Sequence, residues 1–409
     1  MTTTGTPRRL VATPRAMARA MGDACTQLWH RPPQQIPGLD ALRAIAVLMV
    51  IGDHFAVNAW RKAGGTDIAL AHSPIVHFGW TGVDLFFVLS GLLIGTQVWK
   101  ERQRTGRLRP VRFFLRRAFR IWPLYFATLI LLAIGAGRIT PRWPDWLLVS
   151  NYVSTPYSRS WSLSSEEMFY LAVPALLALT PRWPLRRYVW LLVLAIPLLD
   201  IARAITFHEL VSSGMAVLRA EDRMYAPFHL HSQALVIGLL IALCSVLRPD
   251  WFQRAERAGI SWMGMAVLGG ACVLGLALRT LDRHVFAYTA LGLIYGGATV
   301  WVLLDRSVLS RPLKAWVFYP IARLSFGMYL NHFVIFPGTV PQAVRALRAL
   351  ALPESAVFIG ALFAGIVVSA AVAAVTFVLV EHPFLLLRDR LLRRRPPSAS
   401  PDAIAVRAA

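Results

Sequence analysis

Ten apolar stretches divide this chain of 409 residues, most of them as long as the roughly 20 residues that a helix needs to cross a bilayer core of about 30 Å. They run from Leu39 to Asn58, Phe78 to Val98, Phe119 to Gly135, Ser164 to Leu179, Tyr188 to Thr206, His229 to Leu247, Ile260 to Leu278, Val285 to Leu304, Trp316 to Gly338 and Val357 to Val380. With 56% hydrophobic and 16% charged residues the chain is too apolar for an ordinary soluble enzyme. The pattern predicts an all-α polytopic membrane protein with about ten transmembrane helices.

The hydrophilic segments alternate in charge. Basic residues crowd the N-terminal tail (Arg8, Arg9, Arg15, Arg19, Arg31), Lys100 to Arg117, Pro181 to Arg187, Arg248 to Arg257, Arg306 to Lys314 and Arg388 to Arg395. The positive-inside bias then places both termini in the cytoplasm of a multi-pass protein of the bacterial inner membrane. The domains expected are a cytoplasmic tail over 1–36, a transmembrane domain over 37–388 and a disordered, Pro-containing cytoplasmic tail over 389–409. The net charge of +22 sits beside span ends, where anionic lipid headgroups are the simpler partner, so nucleic-acid binding is not expected. Cys25, Cys244 and Cys272 are widely spaced and give neither a disulfide framework nor a metal pattern. Oligomeric state is not readable from the sequence.

Several ionisable residues fall inside the apolar stretches, where their cost makes function the default reading. Arg43 precedes His54 by eleven residues, almost three helical turns, so the two share one face of the first span about 16 Å apart. Asp53 adjoins His54, and Asp84 falls early in the second span. Arg116, Arg117 and Arg120 introduce the third span, with Pro123 expected to bend the helix beyond them. In the fourth, Ser164 and Glu167 have the spacing of a capping box, which suits Glu167 to structure and leaves Glu166, with Tyr170 one turn on, for chemistry. Ser325, Tyr329 and His332 lie toward one side of the ninth span, and Glu381 follows the tenth. His54, Asp84, Glu166 and His332 all fall in the outer half of the layer when counted independently.

The segments Gly38 to His54, Gly82 to Gly91, Phe114 to Tyr125, Trp161 to Tyr170, Ser325 to His332 and Val380 to Phe384 together resemble the membrane-bound acyltransferase-3 family, in that family's order. The family includes bacterial O-acetyltransferases of surface polysaccharides and of some macrolides. The resemblance implies acyl transfer from cytosolic acyl-CoA, usually acetyl-CoA, to an extracytoplasmic hydroxyl, with His54 as the catalytic histidine, Arg43 as its paired arginine and Glu166 as the motif glutamate.

A hydroxyl is a poor nucleophile at neutral pH and attack on a thioester needs a base, for which imidazole is suited. The expected mechanism has His54 as general base, oriented by Asp53 or Glu166, with Tyr329, His332 or Trp161 donating to the oxyanion. Arg43, Arg116, Arg117, Arg120 and Ser325 are expected to hold the acyl-CoA, and the acceptor is expected to be a carbohydrate or glycoconjugate. The competing classes are a proton-coupled secondary transporter and a non-catalytic membrane scaffold or receptor.

Overall fold

Every regular element among the described residues is helical, as long apolar runs in lipid require. The computed structural model describes residues 14–33, 35–135, 140–155, 160–257, 283–304 and 311–392. The expected span from Ile260 to Leu278, Arg8, Arg9, Arg306, Cys272 and most of the C-terminal tail lie outside them. The main helices are α1 (Pro14–Trp29), α2 (Pro37–His54), α3 (Gly82–Thr105), α4 (Pro110–Ile134), α5 (Trp161–Leu179), α6 (Leu185–Ser212), α7 (Gln233–Leu247), α8 (Arg283–Leu304), α9 (Phe318–Ala349), α10 (Glu354–Thr376) and α11 (His382–Leu392). Local chemistry sets their ends. Pro37 and Pro110 open α2 and α4, where a missing N–H costs nothing. Gly106 closes α3 in the left-handed region at φ 69°, donating its N–H to the Arg102 carbonyl.

The expected count of about ten spanning helices is corrected downward. Five helices among the described residues are long and apolar enough to cross a membrane: Gly79–Thr105, Pro110–Ile134, Leu185–Ser212, Val285–Leu304 and Glu354–Leu392. Gln233–Leu247 and Pro249–Arg257, bent by 90°, make a sixth if taken as one span. The expected first, fourth and ninth spans are helical but fall short, and the reason is what they carry. Helix α2 contains Asp40, Arg43 and Asp53, α5 contains Glu166 and Glu167, and α9 contains Arg323 and His332. Helices that supply polar chemistry lose the hydropathy of plain lipid anchors.

Helix α2 is buried on two sides. Leu42, Ala46 and Val50 belong to one apolar core with α3, α4, α5 and α7, whereas Val47 and Ile51 belong to a second with α9 and α10. With two cores against it the helix keeps Arg43, Asp53 and His54 half-buried among its neighbours, which makes ionisable groups tolerable there.

Helices α3 and α7 meet backbone to backbone. A Cβ on Gly91 would fall 2.2 Å from the Leu235 carbonyl oxygen, and one on Gly238 would fall 2.1 Å from that of Val88. Gly238→Ala is therefore expected to cost about 2–3 kcal/mol by overpacking, seen as a lower thermal midpoint in detergent. An unchanged midpoint would show that these backbones have room to spare.

Candidate active site

Helix α2 ends its α-helical run at His54, and Phe55–Trp60 continues as a π-turn, a local widening that re-aims the side chains at the junction. There the His54 ring meets His332 of α9. Nδ1 of His54 lies 2.8 Å from Nε2 of His332, and Nδ1 of His332 lies 3.0 Å from the Met328 carbonyl oxygen. A carbonyl only accepts, so His332 donates from Nδ1 and, when neutral, accepts at Nε2. His54 must then donate from Nδ1, and in the neutral ring its lone pair is on Nε2. A carbonyl and one imidazole thus set the tautomer of another, the task often given to a carboxylate. The rings lie 9° from parallel, and the Phe333 ring sits 4.8 Å from His54 and 4.7 Å from His332.

At Nδ1 the His54 ring is held by His332, for which the sequence suggested another role. Glu166 accepts from Ser90 and Tyr170, and Arg117 lies 5.4 Å over the Tyr170 ring. Asp53 is one residue, or about 100° of helix, from His54, and Gly79 packs against its Cβ. In its neutral form His332 has a single ring N–H, directed at the Met328 carbonyl, and its Nε2 faces His54. The Trp161 indole stacks on His231, with ring centres 5.2 Å apart.

Asp84 is placed elsewhere. Its Oδ1 lies 3.0 Å from Nε2 of His231, both side chains fully buried, and His231 Nδ1 donates to the Tyr225 carbonyl at 2.6 Å. The pair ties α3 to the start of α7. His231 lies inside the sixth apolar stretch and was passed over in the sequence; its partner, 147 residues away, is set by the fold alone.

A cavity of about 270 Å³ lies among α2, α3, α4, α5 and α9. Arg43, Arg117 and Arg120 line it together with Glu166, Ser162 and Tyr329. Four of the residues expected from the sequence to hold a donor, Arg43, Arg117, Arg120 and Ser325, are thus brought to one hollow, while Arg116 faces a second hollow beside it. Ser325 donates its hydroxyl proton to its own helix at Ala322, 2.8 Å away, so it offers a ligand only lone pairs. Glu381, buried at the π-turn Phe377–Glu381, sits in the field of Arg120, Arg323 and Arg43. Tyr329 joins the two halves of the site: it lines the cavity, its hydroxyl meets Ser162 at 2.5 Å, and its ring centre lies 6.1 Å from that of His332.

The expected capping box fails. Helix α5 begins at Trp161, a turn earlier than the box requires, and Ser164 instead bonds Ser150 at 2.9 Å. Glu167 accepts from Trp122 at 3.3 Å, with its Oε1 buried and lacking a hydrogen-bond partner. Ser90, Ser162, Gln97 and Arg388 were missed, because small or common polar residues carry no signal until folding gathers them. Among the described residues no group of three or more His, Cys, Asp or Glu is placed to hold a metal ion.

Residues 36–376 match the model of a family described as an acyltransferase domain. The acyltransferase MdmB of Streptomyces mycarofaciens is 26% identical over 405 residues, covering 91% of this chain and 97% of that protein. The peptidoglycan O-acetyltransferase OatA of Listeria monocytogenes is 24% identical over 355 residues, 75% of this chain and 50% of its own length. The O-acetyltransferase OatA of Staphylococcus aureus is 25% identical over 334 residues, 74% of this chain and 51% of its own. The chain thus spans about half the length of these two O-acetyltransferases. No solved structure matches.

Proposed function

The chain belongs to the acyltransferase family whose model spans its residues 36–376, and from that membership we propose that it moves an acetyl group from acetyl-CoA to a hydroxyl of an extracytoplasmic glycan or glycoconjugate. It is an acyltransferase of the bacterial cytoplasmic membrane, crossing it several times. The donor, the acceptor, the residue roles and the placement of both termini in the cytoplasm are the proposed part. Support for the acceptor class comes from relatives named as O-acetyltransferases, one of them of peptidoglycan.

One observation carries the chemistry: the cavity lined by three guanidiniums is also lined by Tyr329, whose ring centre lies 6.1 Å from that of His332. The arginine end takes the phosphates of the donor through paired N–H donors. The pantetheine arm follows the cavity and presents the thioester near Tyr329. His54 Nε2 accepts the acceptor's hydroxyl proton as the C–O bond forms, and His332 keeps the ring in place by receiving the Nδ1 hydrogen bond. The Tyr329 hydroxyl, released from Ser162, donates to the tetrahedral oxyanion. Collapse breaks the C–S bond, and the proton on His54 passes to the leaving thiolate. The acetyl ester and free CoA are the products.

Purified protein in liposomes, given labelled acetyl-CoA on one side and an oligosaccharide on the other, is expected to yield labelled ester. With the oligosaccharide omitted, CoA release is expected to stay far below one equivalent. Stoichiometric CoA release with an acylated protein would replace direct transfer by a covalent intermediate. Proton-driven uptake of solute without ester would overturn the reading.

A further inference from the structure

A second hollow, of about 500 Å³, lies against the first and shares Gln97, Arg117 and Arg120 with it. Its other walls are Arg116 of α4 and Arg388, Asp389 and Leu392 of α11. Besides Gln97 of α3, two helices far apart in the chain build it, and they are fastened together: Arg112 donates to the Leu392 carbonyl at 2.8 Å, fixing the end of α11 against α4. Among the described residues, four guanidiniums therefore converge on one hollow with a single carboxylate among them. That carboxylate is already engaged, since Arg388 Nε donates to Asp389 Oδ1 at 2.8 Å and its Nη2 lies 2.7 Å from the same oxygen. Guanidiniums held at such density repel one another unless an anion of more than one charge sits between them, and phosphate geometry matches their donors.

Coenzyme A carries phosphate at two separate places, a diphosphate in the middle of the molecule and a phosphomonoester on the ribose. The monoester's second ionisation is near pH 6, so it is mostly a dianion at neutral pH. The inner cavity, continuous with the route to Tyr329, suits the diphosphate, which is attached directly to the pantetheine arm. We propose that the outer hollow receives the ribose phosphomonoester, making Arg388 and Arg116 the residues that separate acyl-CoA from donors lacking that group. The inference rests on the acyl-CoA reading above and deepens it. Asp389 acts as a placeholder: it holds Arg388 in position and yields it when the phosphate arrives. The same chemistry is offered by the phosphate of an anionic lipid, and the experiment must separate the two sources.

The full chain is assayed in nanodiscs of phosphatidylcholine alone, with acetyl-CoA and with acetyl-dephospho-CoA, and KM is measured for each. The wild type is expected to show a KM about 10-fold higher for the dephospho donor, the loss expected for a charge-assisted pair. In Arg388→Gln the ratio of the two KM values is expected to fall to about 2, in Arg116→Gln combined with Arg388→Gln to about 1, and Arg388→Lys is expected to restore part of it. A melting curve in the same nanodiscs shows whether each variant is folded, and the ratio, taken within one preparation, does not depend on how much is. Equal KM values in the wild type, or an unchanged ratio in a folded double variant, would overturn the inference. So would a wild-type ratio of one in neutral lipid together with an Arg388 effect that emerges only when phosphatidylglycerol is added, which would assign the hollow to a headgroup. Transfer from neither donor would instead overturn the acyl-CoA reading, and this inference with it.

Discussion

His54→Ala is expected to lower kcat about 1000-fold while the protein remains folded, because a positioned general base contributes roughly 100- to 10,000-fold. The KM for acetyl-CoA is expected to change little, since His54 is absent from the lining of the donor cavity. His54→Gln is the sharper variant, since it retains a hydrogen-bonding side chain but has no basic nitrogen, and it is expected to be equally inactive. His332→Ala is expected to lose less, about 10- to 100-fold, because it frees the His54 ring without removing the base. The sign of the pH dependence follows from the same geometry. Protonated imidazole cannot accept the hydroxyl proton, so the wild-type rate falls as the pH is lowered, and the residual rate of His54→Gln lacks that limb. Wild-type kcat in a folded His54→Gln protein would remove His54 from the chemistry.

Arg43→Gln, at the other end of the same helix, is expected to raise the KM for acetyl-CoA about 100-fold with a smaller fall in kcat. Arg43 lines the cavity beside Arg117 and Arg120, and the carboxylates of Asp40 and Glu166 act on it. Hydrogen bonds between charged groups contribute about 1.5–3 kcal/mol each, and about 1.4 kcal/mol is tenfold in affinity. Arg43→Lys is expected to recover only part of the loss, because an ammonium cannot reproduce the planar fork that pairs with two phosphate oxygens. Isothermal titration with non-hydrolysable acyl-CoA would read the same effect as weakened binding. A variant with unchanged donor affinity but depressed kcat would move Arg43 from donor binding to the reacting centre.

The paired effects separate two jobs along α2, and much of that division was legible before folding. Helical periodicity is local: hydrogen bonds span four residues, so the sequence alone puts Arg43 and His54 on one face of one helix. It likewise groups Arg116, Arg117 and Arg120 at the start of α4, because neighbours in the chain stay neighbours in a helix. The number of helices apolar enough to span was less legible, since length suggested ten while the charges of α2 and α5 and the polar groups of α9 tell against counting them as simple anchors. Asp84 shows the limit most clearly. Its depth matched that of His54, yet folding turned it to His231.

What the sequence by itself determined is that the chain is helical, membrane-embedded and obliged to shelter a few costly ionisable side chains. Only the tertiary structure decided which of them meet. His54 took His332 at Nδ1, Glu166 took Ser90 and Tyr170, and Arg388 joined the arginines of α4 across 268 or more residues of chain. The reason is physical: backbone hydrogen bonding fixes a helix from within four residues, whereas side-chain partners depend on which faces two helices bury together. That choice is made by close approaches such as Gly91 on Leu235 and Gly238 on Val88, which no local pattern encodes.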